Sequence, residues 1–277
     1  MGLYDDPVRY DLIYREFRED IPFYLDAAAS VSGPIVDFAC GTGRVTIPLA
    51  AAYANRTVHG VDLSSAQVEL ARRRAEDAGL GNLRLHTCRM EAFSPPQPCG
   101  LALCSLHSLE HLTEEEQLDR FFLNLTERVL APGGRFAFAL HLPDPGYLSW
   151  DPQRLEKLGR YGEEGSGGFT LYERRSYDAS SQVLTLNWFF EPLGEGEVEE
   201  AGYELRLFYP REIRRILSCY GFEILSHAGW YDGSSLSGAS GTQVILAERR
   251  YSPTSDCGAP GRSGGSAPPR GESSPSR

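Results

Sequence analysis

The chain of 277 residues is 41% hydrophobic and 23% charged, ordinary globular values, and its length suits one large α/β domain with an insertion, or one and a half domains. A net charge of −11 argues against nucleic acid as a partner, because phosphate binding needs a basic footprint that the chain lacks. No window approaches the roughly 18 apolar residues of a membrane span, and Asp5 and Asp6 stand where a signal peptide would need an apolar region, so a cytoplasmic protein is expected.

Six cysteines (Cys40, Cys88, Cys99, Cys104, Cys219, Cys257) form no C-x-x-C pair and read as reduced, mostly buried thiols. One lysine against 26 arginines is the coding bias of a GC-rich bacterial source. Residues 4 to 29 read as one or two amphipathic helices, with Tyr10, Ile13, Tyr14, Phe17, Ile21 and Tyr24 at three- and four-residue steps. Pro22 sits where a second helix opens.

The stretch Ile35–Arg44 then reads as strand, tight turn of small residues and the start of a helix. Small residues let backbone approach a ligand, and the helix start offers unpaired N–H groups. Val58–Asp62 is a second strand ending in an acid, which suits the ribose hydroxyls of a nucleoside. A dinucleotide fingerprint needs a third glycine, and Thr46 stands in its place. Ser64 and Ser65 cap a helix that ends at Gly79, Asn82–His86 is a third strand, and Leu101–Cys104 is a buried fourth strand. Thr113 with Glu116 predicts a capping box, Ala131–Gly134 ends that helix, and Arg135–Leu140 is the fifth strand.

His107 and His111 share a helix face, but Ser108 follows the first histidine where a zinc-protease motif needs Glu, and no third ligand is evident, so no metal is expected. Residues 169–177, 182–190 and 202–209 read as three aromatic strands, expected to form an antiparallel lid. Between Asp151 and Tyr209 twelve acids face six basic residues, so the aromatic lid is acidic and suits an amine or aryl ligand. Pro210 opens the last helix, and Phe222–Leu225 and Thr242–Ala247 are a closing antiparallel pair. From Tyr251, 17 of 27 residues are Gly, Pro or Ser, the composition of a disordered tail.

Read as D-x-A-x-G-x-G, Asp37–Gly43 resembles motif I of class I S-adenosylmethionine-dependent methyltransferases, with Ala39 at the usual first glycine. Asp62 stands at the distance of that family's ribose acid, and the block from Leu101 through "LAPGGRF" resembles its motifs IV and V. The resemblance implies a doubly wound, seven-stranded, mostly parallel Rossmann-like sheet with a small antiparallel β lid before the last helix. It divides the chain into an N-terminal helical cover (1–30), a core (31–149 and 210–250), a lid (150–209) and the tail (251–277).

The cofactor implied is S-adenosylmethionine, held by Asp37, Ala39, Cys40, Gly41, Gly43, Arg44, Asp62 and Leu63. Met90 would pack on the adenine and Glu91 would replace an acid whose usual place is taken by Arg89; Ser105 and Tyr10 complete the set. Arg44 has two readings, a partner for the methionine carboxylate or a solvated first-turn charge. "YDLIY" resembles the N-terminal segment of small-molecule methyltransferases and "S-x-x-H-L" is similar to a segment of antibiotic-sugar N,N-dimethyltransferases, which makes Tyr14 and His111 the catalytic candidates. His111 as a histidine filling space beneath its loop is the other reading. His107, Trp188 and Tyr231, the last in a "G-x-Y-D-G"-like segment, are the substrate candidates. The expected activity is methyl transfer to a small-molecule nucleophile, nitrogen before oxygen, with neither nucleic acid nor membrane involved and a homodimer left open. A non-catalytic nucleoside-binding relative and an NAD-dependent oxidoreductase are the alternatives.

Overall fold

The structure is a computed structural model that describes residues 3–250; the expected tail at 251–277 lies outside the described residues. Its centre is a seven-stranded sheet. Four parallel strands, β1 (Ile35–Phe38), β2 (Val58–Asp62), β3 (Leu83–Thr87) and β4 (Cys99–Cys104), are followed by β5 (Leu130–His141), parallel to β4. With β10 (Phe222–Ala228) and β11 (Thr242–Arg249) the order is β10-β11-β5-β4-β1-β2-β3, and β11 runs antiparallel to both neighbours.

Side chains alternate across the sheet, so each strand feeds two cores. On one face Phe38, Phe136 and Phe138 meet Leu118, Phe121 and Phe122 of α5 (Glu115–Asn124) and Ile213 and Leu217 of α6 (Pro210–Cys219). On the other, Ile35, Leu101 and Leu103 meet Tyr24 and Ala28 of α2 (Ile21–Ala29), Leu49 of α3 (Thr46–Ala52) and Ala75 of α4 (Ser65–Asp77). The Ser64 side chain accepts from the Gln67 N–H at the start of α4.

Between β5 and α6 stands a second, antiparallel sheet of four strands: β6 (Glu156–Tyr161), β7 (Phe169–Asp178), β8 (Val183–Pro192) and β9 (Glu199–Arg206). Three strands were expected; the fourth, β6, is a polar edge with no buried residue and therefore no apolar alternation to betray it. Trp188, Phe190, Phe169 and Leu171 form the inner face, which packs on Leu12, Ile13 and Tyr14 of α1 (Pro7–Tyr14). Helix α1 is tied in two directions. Arg9 makes two 2.9 Å bonds to Glu199 of β9, and Asp11 accepts from the Thr42 hydroxyl at 2.5 Å and pairs with Arg74 of α4.

Two local expectations are corrected. The capping box at Thr113 and Glu116 does not form: α5 begins at Glu115, one residue later than the box requires, with Glu114 as its uncapped N-cap. The segment Ala131–Gly134 does not close the helix. A π turn at Leu125–Val129 closes it, and Ala131–Gly134 bulges out within β5 opposite Gly100.

Candidate active site

A cavity of about 620 Å³ lies at the carboxyl ends of the parallel strands, roofed by the antiparallel sheet and α1. That falls inside the span of roughly 300–1,000 Å³ usual for small-molecule sites, at the edge where such sheets hold ligands.

The first wall is the loop after β1. Ala39, Gly41 and Gly43 all adopt left-handed backbone, with φ of 53°, 55° and 86°. Glycine takes this conformation without strain; Ala39 does not. The carboxylate of Asp62, at the end of β2, ties the loop down: one oxygen accepts the Gly41 N–H at 2.8 Å and the other the Ser64 N–H at 2.9 Å. Burial raises the Asp62 pKa, and these backbone donors only partly restrain the rise. Asp62 lines the cavity together with Ala39, Gly41, Leu63 and Gln67, and the side-chain oxygen of Gln67 is buried without a partner.

Behind this wall, Asp37 is fully buried and accepts from the Thr46 hydroxyl at 2.5 Å; burial pushes it up to about 7. Arg44 is turned away from the cavity, where Asp20 and the Phe17 carbonyl take its guanidinium. Cys40, Gly43 and Ser105 also stand off the lining. A Cβ on Gly43 would sit 2.8 Å from the Ile47 side chain, so its role in the fold is close packing.

The second wall follows β3 and carries Cys88, Arg89, Met90 and Glu91, with the Arg89 guanidinium donating to Glu91 at 2.5 Å. The third wall is aromatic. Tyr10 and Tyr14 lie 4.7 Å apart between ring centres, Tyr14 stacks 6.4 Å from Trp188, and Tyr203 meets Trp188 edge-on. Tyr231 closes the rim against Phe17.

The loop after β4 supplies the polar end. Leu106 and His107 are both left-handed, with φ of 46° and 60°. His107 lays its ring 3.7 Å from that of His141, the last residue of β5. His141 Nδ1 is 2.6 Å from one oxygen of Glu110, and its main-chain N–H donates to the other at 2.7 Å. Glu110 is fully buried. Burial opposes charge on His141, but the attraction and hydrogen bond of Glu110 outweigh it, so its pKa is raised. Burial drives His107 well below the ordinary value and takes His111 down to about 4. His111 Nε2 shares a 2.8 Å hydrogen bond with the Tyr4 hydroxyl. From the roof, Glu173 accepts from the Trp188 indole N–H at 2.9 Å and pairs with Arg175.

The expected substrate and catalytic residues Tyr14, His107, His111, Trp188 and Tyr231 thus share one cavity with Tyr10, Asp62, Met90 and Glu91. Sequence reasoning missed Tyr4, Glu110, His141, Glu173 and Arg175. A signal existed for His141, which ends a parallel strand at the carboxyl edge. Among the described residues no group of three or more His, Cys, Asp or Glu is arranged to hold a metal ion.

Comparison with known proteins agrees with this architecture. Residues 35–134 match the methyltransferase domain family. A dTDP-3-amino-3,6-dideoxy-alpha-D-glucopyranose N,N-dimethyltransferase from Streptomyces fradiae is 28% identical over 150 residues, half of this chain and 56% of that protein. A malonyl-[acyl-carrier protein] O-methyltransferase from Halorhodospira halophila is 27% identical over 77% of this chain and 67% of its own length. The chain thus spans little more than half to two thirds of these two relatives. Among solved structures, an S-adenosylmethionine-dependent methyltransferase from Clostridium acetobutylicum superposes with a TM-score of 0.70 at 18% identity, over 88% of this chain and 97% of that one. The CcbJ methyltransferase from Streptomyces caelestis gives 0.69 at 20% identity, over 85% and 96%.

Residues 35–134 are thus similar to a methyltransferase domain, and the chain shares its fold with these solved methyltransferases.

Proposed function

We propose that this chain transfers a methyl group from S-adenosylmethionine to a nitrogen of a small molecule. The observation that carries the reading is Asp62, a carboxylate fixed at the junction of the glycine loop and a cavity that continues without interruption to an aromatic end. The residues present suit the cofactor. Asp62 meets ribose hydroxyls, Met90 offers an apolar surface to the adenine, and the unpartnered oxygen of Gln67 is a spare acceptor on the same wall. The methionine end falls to Ala39, Gly41 and Tyr10, since Asp20 already neutralises Arg44.

When bound, S-adenosylmethionine supplies a methyl carried on a cationic sulfur. The chain's own task is to hold an uncharged lone pair about 3 Å from that methyl and to exclude water. Tyr14, Trp188 and Tyr203, with Glu173 beside them, suit an aminated acceptor through ring faces and negative charge. The Streptomyces fradiae relative is named for dimethylating an amino sugar, which puts amino sugars first among acceptors to try.

The test is calorimetric titration with S-adenosylmethionine and with NADH, followed by transfer of labelled methyl to glucosamine, a 3-amino sugar nucleotide, tyramine and catechol. We expect micromolar binding of S-adenosylmethionine alone, lost in Asp62→Ala, and label in the amines before the catechol. Silence toward S-adenosylmethionine sinks the reading, and label confined to catechol sinks its nitrogen half.

A further inference from the structure

We propose that His141, positioned by Glu110, is the base that takes the proton from the acceptor nitrogen. The inference rests on the methyl-transfer reading above and names a residue for one of its steps.

Glu110 is fully buried, and both its carboxylate oxygens are spent on a single residue: one on His141 Nδ1 at 2.6 Å, the other on the His141 main-chain N–H at 2.7 Å. A carboxylate holding Nδ1–H fixes the tautomer and leaves the Nε2 lone pair for the cavity that His141 lines. The strand end is held from behind as well, because Gln243 donates its amide to the His141 carbonyl at 2.9 Å. On the open side His107 lies 3.7 Å away, carried there by two successive left-handed non-glycine residues. Such backbone is strained and persists where the surroundings impose it, often at sites of chemistry.

His111, the histidine singled out in the sequence, is the weaker candidate. Its Nε2 is engaged by the Tyr4 hydroxyl, and burial has taken its pKa to about 4. The charged and titratable groups facing His141 are Glu110, His107 and His111 from the loop after β4, and Glu173 and Arg175 from β7. Two acids against one arginine favour a proton on His141, and its pKa is raised accordingly.

The step is a proton transfer. The N–H bond of the acceptor ammonium breaks and its electron pair stays on nitrogen as the attacking lone pair. The proton bonds to Nε2, giving an imidazolium that Glu110 neutralises, and it leaves later to water.

The experiment combines NMR titration of the His141 ring, in wild type and Glu110→Gln, with pH profiles of kcat on the acceptor that takes label, and S-adenosylmethionine affinity for every variant. We expect wild-type kcat to rise with pH through a value above the ordinary histidine 6.5 or so. His141→Asn should lose about 100-fold or more in kcat, with cofactor affinity changed less than about threefold; His141→Gln serves if the first variant does not fold. Glu110→Gln should lower both the ring titration and the acid limb of the profile. A His141 variant within threefold of wild-type kcat overturns the proposal, and so does a ring titration that ignores Glu110→Gln. Failure of the underlying reading looks different: wild type then binds no S-adenosylmethionine, while the ring titration still decides whether Glu110 governs His141.

Discussion

Asp20 and Arg44 hold each other through two bonds of 2.6 Å, and Asp20 has no exposed surface at all. The pair joins the start of α2 to the end of the glycine loop, and Arg44 also donates to the Phe17 carbonyl and lies over the Phe17 ring. Two parallel charge-assisted bonds are strong, but removing one partner strands a buried charge, at a cost of about 3–5 kcal/mol. Asp20→Asn should therefore lower the free energy of urea unfolding by that amount. The double variant Asp20→Leu/Arg44→Met should recover much of it. A loss below about 1 kcal/mol in Asp20→Asn would show that the arginine is solvated after all.

His59 and His111 should each weaken the fold as pH falls from 6.5 to 4. Burial pushes both His59 and His111 down to about 4, and His59 also suffers from His86, 3.1 Å away. Above the unfolded value near 6.5 neither state binds the proton. Below it the unfolded chain takes up protons that the folded chain refuses until about 4, so stability falls across that window. Asp37, raised to about 7, acts in the opposite sense: its folded form gains the proton first, which adds stability as pH falls from 7 toward 4. The histidine share is isolated by His59→Gln, whose urea midpoint should decline less steeply from pH 6.5 to 4.5 than that of wild type. Parallel curves would refute the assignment.

The glycine loop should tolerate opposite changes unequally. Gly43→Ala must place a Cβ at φ 86° and 2.8 Å from the flexible end of Ile47. The side chain can give way and the backbone cannot, so a loss of about 1–2 kcal/mol is expected. Ala39→Gly relieves φ 53° and should stay within about 1 kcal/mol of wild type, on the stable side if relief exceeds the added entropy of the unfolded chain. Melting temperatures of the two variants give the comparison; equal losses would contradict it.

Helix α1 contains no fully buried residue and depends on its side contacts. Glu199→Gln weakens the exposed pair with Arg9 and should change global stability by less than about 1 kcal/mol. Amide exchange over Pro7–Tyr14 should nevertheless quicken by several-fold, because the two bonds from Arg9 to Glu199 tie this helix to β9. Unchanged exchange there would mean that the contact of Asp11 with Thr42 and Arg74 suffices.

Much of this architecture was legible because it is written in local pattern. The all-buried run Ile35–Phe38, the acid at Asp62 and the serine before α4 announce strand, turn and helix within a few residues of themselves. The strand β6 was not, since an exposed edge of Glu, Lys and Arg has the same composition as a loop. Nor was the partnership of Glu110 with His141: 31 residues separate them, and only the pairing of β4 with β5 brings the following loop and the strand end together. Arg44 was legible as a charge beside the glycine loop but not as one already answered, because Asp20 reaches it from the start of another helix.

The two sides of the cavity have unlike origins. Asp62, Met90 and the Ala39–Gly41 turn come from separate crossovers of one sheet, whereas the antiparallel part of the roof is drawn from a single unbroken run, β6 to β9. A gene that alters, lengthens or exchanges that run can present a new face to whatever enters, while the register of the parallel strands stays as it was.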